Sequence, residues 1–366
     1  MLICLIRKIA QAVPGKKIGI SVAHYNSSYY NDCMKIVFFE VLPEEKEKIE
    51  ASLQGHELEF YEEKLSHETV HLAKGSDCIS IFINTQIDKS ILDELDGLKL
   101  ITTRTTGSDH IDLVAAKEKG ILISNVPSYG SAPVAEFTFA LILSLSRNIF
   151  NAYHQIREGG DFDIHSLRGF DIHGKTLGVV GTGKIGASVI KIANGFGMKV
   201  IAYDKYPNKD LAEKLGFIYE DFAKVLSESD IITLHVPYLK ETHHLINENN
   251  IKSTKSVALL INTARGELIE TGALLSALKN GGLRGAGLDV LEGERELHSE
   301  FAFISRPDST TASLKTIIQD HVLIDLPNVI ITPHIAFFSK EAKEEILKVT
   351  AQNILALAEN KPQNLL

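Results

Sequence analysis

Cysteine is scarce in this chain: three in 366 residues, at Cys4, Cys33 and Cys78. An odd number at such wide spacing suggests no disulfide framework and no cysteine-based zinc site. Long apolar runs are missing too; none approaches the roughly 18–20 residues that a membrane-spanning helix needs. Basic residues are outnumbered, with 38 Lys+Arg against 47 Asp+Glu and a net charge of −9. That balance argues against nucleic acid as the main partner. No internal repeat or low-complexity tract occurs. What remains is an ordinary globular mix, 44% hydrophobic and 23% charged, which excludes disorder and collagen for the bulk of the chain. At roughly 100–200 residues per domain, the length predicts two or three domains. Such a chain buries a large core without covalent staples. A reducing cytoplasm is the expected compartment.

The N-terminus stands apart. The apolar stretch Leu2–Ile6 is too short for a signal-peptide core, and Arg7 and Lys8 interrupt it. Residues 25–33 are polar and turn-like. Met34 then opens a strand followed by a helical stretch. The compact fold is expected to begin there, with residues 1–33 an extension or a product of start-codon choice.

From Lys35 onward, short apolar runs alternate with helical stretches. The runs are Lys35–Phe39, Leu58–Tyr61, Cys78–Phe82, Leu100–Arg104 and Ile121–Asn125. Helices are expected at Lys89–Leu95 and Asp112–Lys119. Buried runs alternating with helices imply βαβ units and a parallel sheet. Residues 134–147 are apolar on nearly every face, as in a helix buried on all sides. An inter-domain core helix and a subunit interface both fit them. A second series starts at Lys175, with runs at Leu177–Val180, Lys199–Tyr203, Ile231–Val236, Val257–Asn262, Arg284–Val290 and Val329–Thr332. Six strands with helices between them make a second doubly wound sheet. A long amphipathic helix is expected over 339–360.

The second series opens on Gly181, Gly183 and Gly186 in the pattern G-x-G-x-x-G, after a strand and before a helix expected over 187–197. Asp204 ends the next strand, 18 residues beyond Gly186. In this context the pattern reads as a dinucleotide fingerprint. Gly181 permits the tight turn, Gly183 lets backbone approach a pyrophosphate, and Gly186 allows close helix–strand packing. Amides near Lys184 and Ile185 receive the phosphates. Asp204 suits both ribose hydroxyls and repels a 2′-phosphate, so NAD is expected rather than NADP.

Three more segments lie at strand C-terminal ends, where doubly wound folds bind ligands. They carry Arg265, Asp289 with Glu294, and His334. An Arg, a Glu and a His arriving together suit the reduction of a 2-oxo acid. The carboxylate wants a bidentate guanidinium, which Arg supplies better than Lys. The alkoxide formed must gain a proton, which a histidine provides and takes back. A carboxylate beside that imidazole fixes its tautomer. The hydride comes from nicotinamide, so no metal is required. Taken singly, each residue reads as an ordinary exposed charge; the three at successive strand ends do not.

The segments GTGKIG, LHVP (234–237), NTARG (262–266), GLDVLEGE (287–294) and PHIA (333–336) resemble the D-isomer-specific 2-hydroxyacid dehydrogenase family. The resemblance covers about residues 34–362 and is closest to the D-lactate dehydrogenase branch. It implies that Arg265 binds the substrate carboxylate, that His334 is the proton donor and that Glu294 is its partner. Glu294 is preferred over Glu292 because it stands five residues after Asp289. Gly107 and Ser108 match a loop whose amides hold the substrate carboxylate, and Tyr129 matches a pocket tyrosine. Lys184, Ile185, Asp204, His235, Val236 and Pro237 match cofactor contacts. So do Thr242, Thr263, Ala264, Arg265 and Asp289.

The implied architecture is α/β with two doubly wound, Rossmann-like domains. The NAD-binding domain (134–334) is inserted into a substrate domain (34–133 and 335–366), with hinges near 126–134 and 333–338. The cleft between them closes on substrate, and a cytoplasmic homodimer is expected. Pyruvate is the first substrate expected; 2-hydroxyisocaproate, 3-phosphoglycerate and phosphite enzymes stay open, as does an NADH-sensing co-repressor on the same fold. The physiological direction is not legible. The N-terminal extension has no counterpart in the family. Neither has the 40-residue separation of Glu294 and His334, whose segment 295–333 is read as a surface excursion in preference to a cover over the cleft that alters substrate size preference. His243 and His244 are read as solvated, and His110 as structural. Arg104 stays open between binding an acidic substrate and an internal ion pair.

Overall fold

The computed structural model describes residues 33–294, 297 and 310–366. The extension expected over residues 1–33 lies outside them except for Cys33. So do Phe301, Phe303 and Arg306 of the long segment. The chain divides into two compact units. One holds the described residues up to Tyr129 together with Lys340–Leu366; the other is Gly130–Ser339. The second unit is therefore inserted into the first along the chain.

The first unit is a five-stranded parallel sheet in the order β2-β1-β3-β4-β5. Its strands are β1 Lys35–Phe38, β2 Glu57–Phe60, β3 Cys78–Ile81, β4 Leu100–Thr103 and β5 Leu122–Ser124. Side chains alternate across the sheet with period two. Val37, Ile79, Ile101 and Ile123 enter one buried cluster. Their chain neighbours Ile36, Phe38, Cys78 and Leu100 enter another. Ala351 and Ile354 of the helix Lys340–Ala358 close that second face. Cover on both faces explains why these strands read as unbroken apolar runs. Cys78 is a fully buried free thiol. Cys33 is disulfide-bonded, a pairing that cysteine spacing alone did not suggest.

The second unit is a seven-stranded parallel sheet, β12-β11-β10-β9-β6-β7-β8. It comprises β6 Thr176–Val180, β7 Lys199–Tyr203, β8 Ile218–Tyr219, β9 Ile231–Leu234, β10 Leu259–Asn262, β11 Gly285–Leu288 and β12 Val329–Ile331. The strand order reverses between β6 and β9, the switch point where such sheets bind ligands. The apolar helix, Ser131–Ser146, buries Ala135, Phe139, Leu141 and Ile142 against this sheet while Glu136 and Ala140 face solvent. It is thus buried along one face within its own unit, not all round. β8 escaped the sequence reading because it is a two-residue edge strand with Ile218 63% exposed.

The segment 295–333 needs correction in its described part. Thr311–Ile324 is a helix, with Ile317, Asp320 and Leu323 all buried. Leu323 belongs to the core of the second unit. This stretch is a packed element rather than a surface excursion.

Candidate active site

Parallel strands deliver their C-terminal ends to one edge of the second sheet. Gly181 follows β6, Asp204 follows β7, and His235 follows β9. Arg265 follows β10, Asp289 follows β11, and His334 stands three residues past β12. Since β9, β10, β11 and β12 are neighbours, the loops bearing Arg265, Glu294 and His334 are neighbours as well.

The three fingerprint glycines answer different needs. Gly181 has φ +95°, and an added Cβ would lie 2.6 Å from the His235 carbonyl oxygen. At Gly186 it would lie 2.0 Å from the Gly181 carbonyl oxygen. The fold itself demands both. At Gly183 a Cβ would meet nothing within 4 Å. Gly183 caps the N-terminus of the helix Lys184–Gly195, so Lys184 and Ile185 present first-turn amides beside open space. This is a cradle for an anionic group. The Asp204 carboxylate accepts from the Thr182 amide (2.7 Å), the Thr182 hydroxyl (2.9 Å) and the Tyr206 amide (2.9 Å). His235 binds the Thr233 hydroxyl at 2.9 Å through Nε2. Its Nδ1 is buried with no hydrogen-bond partner among the described residues. Burial pushes its pKa down to about 3, so the ring is neutral. A glycine turn with room beside Gly183 and an orphaned polar nitrogen at the switch point fit a bound dinucleotide.

The other expected cofactor contacts lie on the loops beyond β9, β10 and β11. The Thr242 hydroxyl accepts from the Leu239 amide at 2.7 Å and donates to the Pro237 carbonyl at 2.8 Å. It thereby shapes the loop holding Val236 and Pro237. Thr263 shares a 3.0 Å hydroxyl contact with Thr138. The Asn262 side chain accepts from the Ala264 amide (3.0 Å) and donates to the Arg265 carbonyl (2.8 Å), clasping the turn that carries the guanidinium. Arg265 Nη1 donates to the Ala264 carbonyl at 2.8 Å. Asp289 is 1% exposed. Its carboxylate accepts from the Thr332 hydroxyl (2.6 Å) and from the Ile335 and Ala336 amides (3.0 and 2.8 Å). Burial pushes its pKa up, while these donors and His334 oppose the rise. Asp289 thus staples the turn that presents His334.

His334 Nδ1 lies 2.9 Å from Glu294 Oε1. The His334 backbone sits at φ +54°, a left-handed conformation uncommon for a residue with a Cβ. Hydrogen bonds from its amide to the Asp289 and Thr332 carbonyls (2.8 and 3.0 Å) hold it there. No described group hydrogen-bonds Nε2, so that nitrogen is available to exchange a proton. Glu292, the rejected alternative, is otherwise engaged: it lies 2.6 Å from His244 Nε2. That contact also corrects the reading of His244 as solvated. Its partner is 48 residues away, and no local pattern signals the pair. Asn262, Thr271 and Thr332, which orient these groups, were likewise not singled out.

In the first unit, Gly107 and Ser108 follow β4. Their carbonyls accept from the Thr105 hydroxyl (2.6 Å) and the Ile111 amide (3.0 Å). Their own amides donate to no described protein acceptor. Tyr129 is half-buried. His110 is buried beside the Thr103 hydroxyl at 3.1 Å. Arg104 is 2% exposed and donates to the Phe39 and Glu40 carbonyls, both at 2.7 Å, and to the Ser80 hydroxyl at 2.9 Å. It is an internal strut.

A dinucleotide cradle beside an Arg, Glu and His set defines a nicotinamide-dependent oxidoreductase. Residues 139–336 match the family model described as the NAD-binding domain of D-isomer-specific 2-hydroxyacid dehydrogenases. The chain is 40% identical over 326 residues to 2-hydroxyacid dehydrogenase homolog 1 of Schizosaccharomyces pombe, covering 88% of this chain and 95% of that protein. It is 39% identical over 305 residues to the D-lactate dehydrogenase of Escherichia coli K12, covering 82% and 89%. The solved D-lactate dehydrogenase of Aquifex aeolicus, complexed with NAD and lactic acid, superposes with a TM-score of 0.81 at 36% identity. That match covers 89% of this chain and 96% of the other. The chain belongs to the D-isomer-specific 2-hydroxyacid dehydrogenase family, and NAD is its cofactor.

Proposed function

We propose that this enzyme is a D-lactate dehydrogenase, reducing pyruvate or a closely similar 2-oxo acid. The observation that carries the reading is the His334–Glu294 pair, on a strand end two places from the one bearing Arg265. Bound NADH supplies the hydride to the carbonyl carbon. Arg265 holds the substrate carboxylate and polarises the carbonyl. His334 gives its Nε2 proton to the oxygen, and Glu294 holds the ring so that Nε2 faces the substrate. The family resemblance gives Gly107, Ser108 and Tyr129 substrate-binding roles. Arg104, the one extra base considered for a phosphorylated substrate, is spent inside its own unit, which favours a small acid. The D configuration of the product comes from the family.

The homodimer belongs to this proposal. Ile149, Phe150, Tyr153 and Ile156 on the helix Ile149–Gly159 are 45–52% exposed, and Phe162 and Ile164 beyond it are 77% and 76% exposed. So much exposed apolar surface fits burial against a second copy. A cytoplasmic location is proposed from the scarcity of cysteine, and the Cys33 disulfide counts against it.

The test is NADH oxidation with pyruvate and a panel of larger 2-oxo acids, with Arg265→Ala as control. Fast turnover of pyruvate, lost in the control, is expected. Turnover of bulkier acids alone would replace lactate with a hydroxyisocaproate-type substrate. NADH binding with no turnover of any acid would overturn the proposal and favour phosphite or the sensing alternative.

A further inference from the structure

The Arg265 turn and the turn bearing Glu294 are in backbone contact. A Cβ added at Gly266 would lie 2.0 Å from the Leu291 carbonyl carbon and 2.4 Å from the Glu292 nitrogen. Contacts this close are rigid, so a shift of one turn moves the other. One residue outside both turns holds each of them. The His244 amide donates to the Glu267 carbonyl at 2.9 Å, on the Arg265 side. Its Nε2 meets Glu292 Oε1 at 2.6 Å, on the Glu294 side.

The Glu292 carboxylate is committed to this task. Its Oε2 accepts from the Thr271 hydroxyl (2.7 Å) and amide (3.2 Å), at the start of the helix Thr271–Lys279. Burial raises its pKa, but the Thr271 and His244 hydrogen bonds outweigh that and hold it below the ordinary carboxylate value. The next residue is fixed too: the Gly293 amide donates to Asp320 Oδ2 at 3.2 Å. Glu294 then reaches His334.

His244 is itself tightly held. Its ring stacks on His243 with centroids 3.8 Å apart. Its carbonyl accepts from Asn247 Nδ2 at 2.9 Å. Its backbone lies at φ +50°, a strained region for a residue with a Cβ that persists where surrounding contacts fix it.

We propose that His244 is a positioning residue, clamping the Arg265 turn to the Glu292–Glu294 turn so that the guanidinium and the His334–Glu294 pair act on one substrate. This inference rests on the reduction proposed above. It adds a pair, His244–Glu292, to which no step of that reduction is assigned.

The test uses the full chain as wild type, His244→Ala, His244→Gln, Glu292→Gln and the His244→Ala/Glu292→Gln double variant, with Arg265→Ala alongside. Steady-state constants with pyruvate and NADH affinity by fluorescence are measured for each. Small misplacements of catalytic groups are costly, so kcat should fall by about 10- to 100-fold in His244→Ala and in Glu292→Gln. NADH affinity should stay within about 2-fold of wild type in both, and the double variant should be no worse than the poorer single one by more than about 3-fold. His244→Gln keeps an amide donor for Glu292 and should recover most of kcat. A kcat in His244→Ala within about 2-fold of wild type would overturn the clamp, as would multiplicative losses in the double variant. If His244→Ala fails to fold, Glu292→Gln carries the same test. Turnover abolished by Arg265→Ala but kept by His244→Ala sinks the clamp alone. A wild type that reduces no 2-oxo acid sinks the reductase reading and the clamp with it.

Discussion

The chain contains two doubly wound parallel sheets, and each treats its switch point differently. In the first unit the strand order reverses between β1 and β3. The Arg104 guanidinium occupies that end, bonded to the Phe39 and Glu40 carbonyls and lying 5.3 Å from the Phe82 ring centre. The Glu40 carboxylate ties down the neighbouring loop through the Phe82 and Asn84 amides and the Thr85 hydroxyl. In the second unit the order reverses between β6 and β9, where a glycine turn leaves open space over a helix N-terminus. One fold plan yields a filled crevice and an open one. The difference lies in a few loop residues, not in the sheets.

Substitutions in the two crevices should separate stability from binding. The largest effect is expected at Gly186→Ala, where the new Cβ collides with the Gly181 carbonyl; the variant should lose the fold of its unit, read as insolubility or loss of the cooperative melt. Next comes Arg104→Met. Two buried acceptors and one part-buried acceptor lose their donors, and urea unfolding should show a loss of about 3–5 kcal/mol with NADH affinity unchanged. An unaltered midpoint would mean that the strut carries no weight. Gly183→Ala sharpens the contrast. Its melting temperature should stay within about 2 °C of wild type while NADH binds about 10-fold more weakly. Unchanged NADH affinity would show that the open space receives no pyrophosphate.

A further effect is pH-dependent. His235 is neutral and buried in the folded protein, with a pKa of about 3, against about 6.5 when unfolded. The unfolded chain therefore binds the extra proton first. The contribution of His235 is present above about pH 6.5 and is lost as pH falls toward 3, at about 1.4 kcal/mol per pH unit. In the ligand-free protein, the stability difference between wild type and His235→Gln should shrink along that slope. A difference independent of pH would contradict the burial.

Much of this was legible before any geometry. Strands buried on both faces leave continuous apolar runs, so eleven of the twelve strands among the described residues were visible, with ends that differ by at most two residues. The glycine spacing and the position of Asp204 located the open crevice. The choice of Glu294 over Glu292 came from a family spacing; nothing in the local chemistry of two glutamates separates them. What escaped depends on long-range pairing. His244 meets Glu292 across 48 residues, and Arg104 meets Phe39 across 65. The helix Thr311–Ile324 did leave a trace, with Leu314, Ile317 and Ile318 at helical spacing and Leu323 a turn and a half on. It was obscured by the assumption that a long insertion is a loop.

The central claim is that His334, held by Glu294, supplies the proton for 2-oxo acid reduction. The most direct test is single-turnover NADH oxidation with pyruvate, comparing wild type with His334→Gln at saturating NADH. Wild type should reduce pyruvate rapidly. The variant should be slower by about 10²–10⁴-fold, with NADH affinity unchanged. Equal rates in the two proteins would contradict the account.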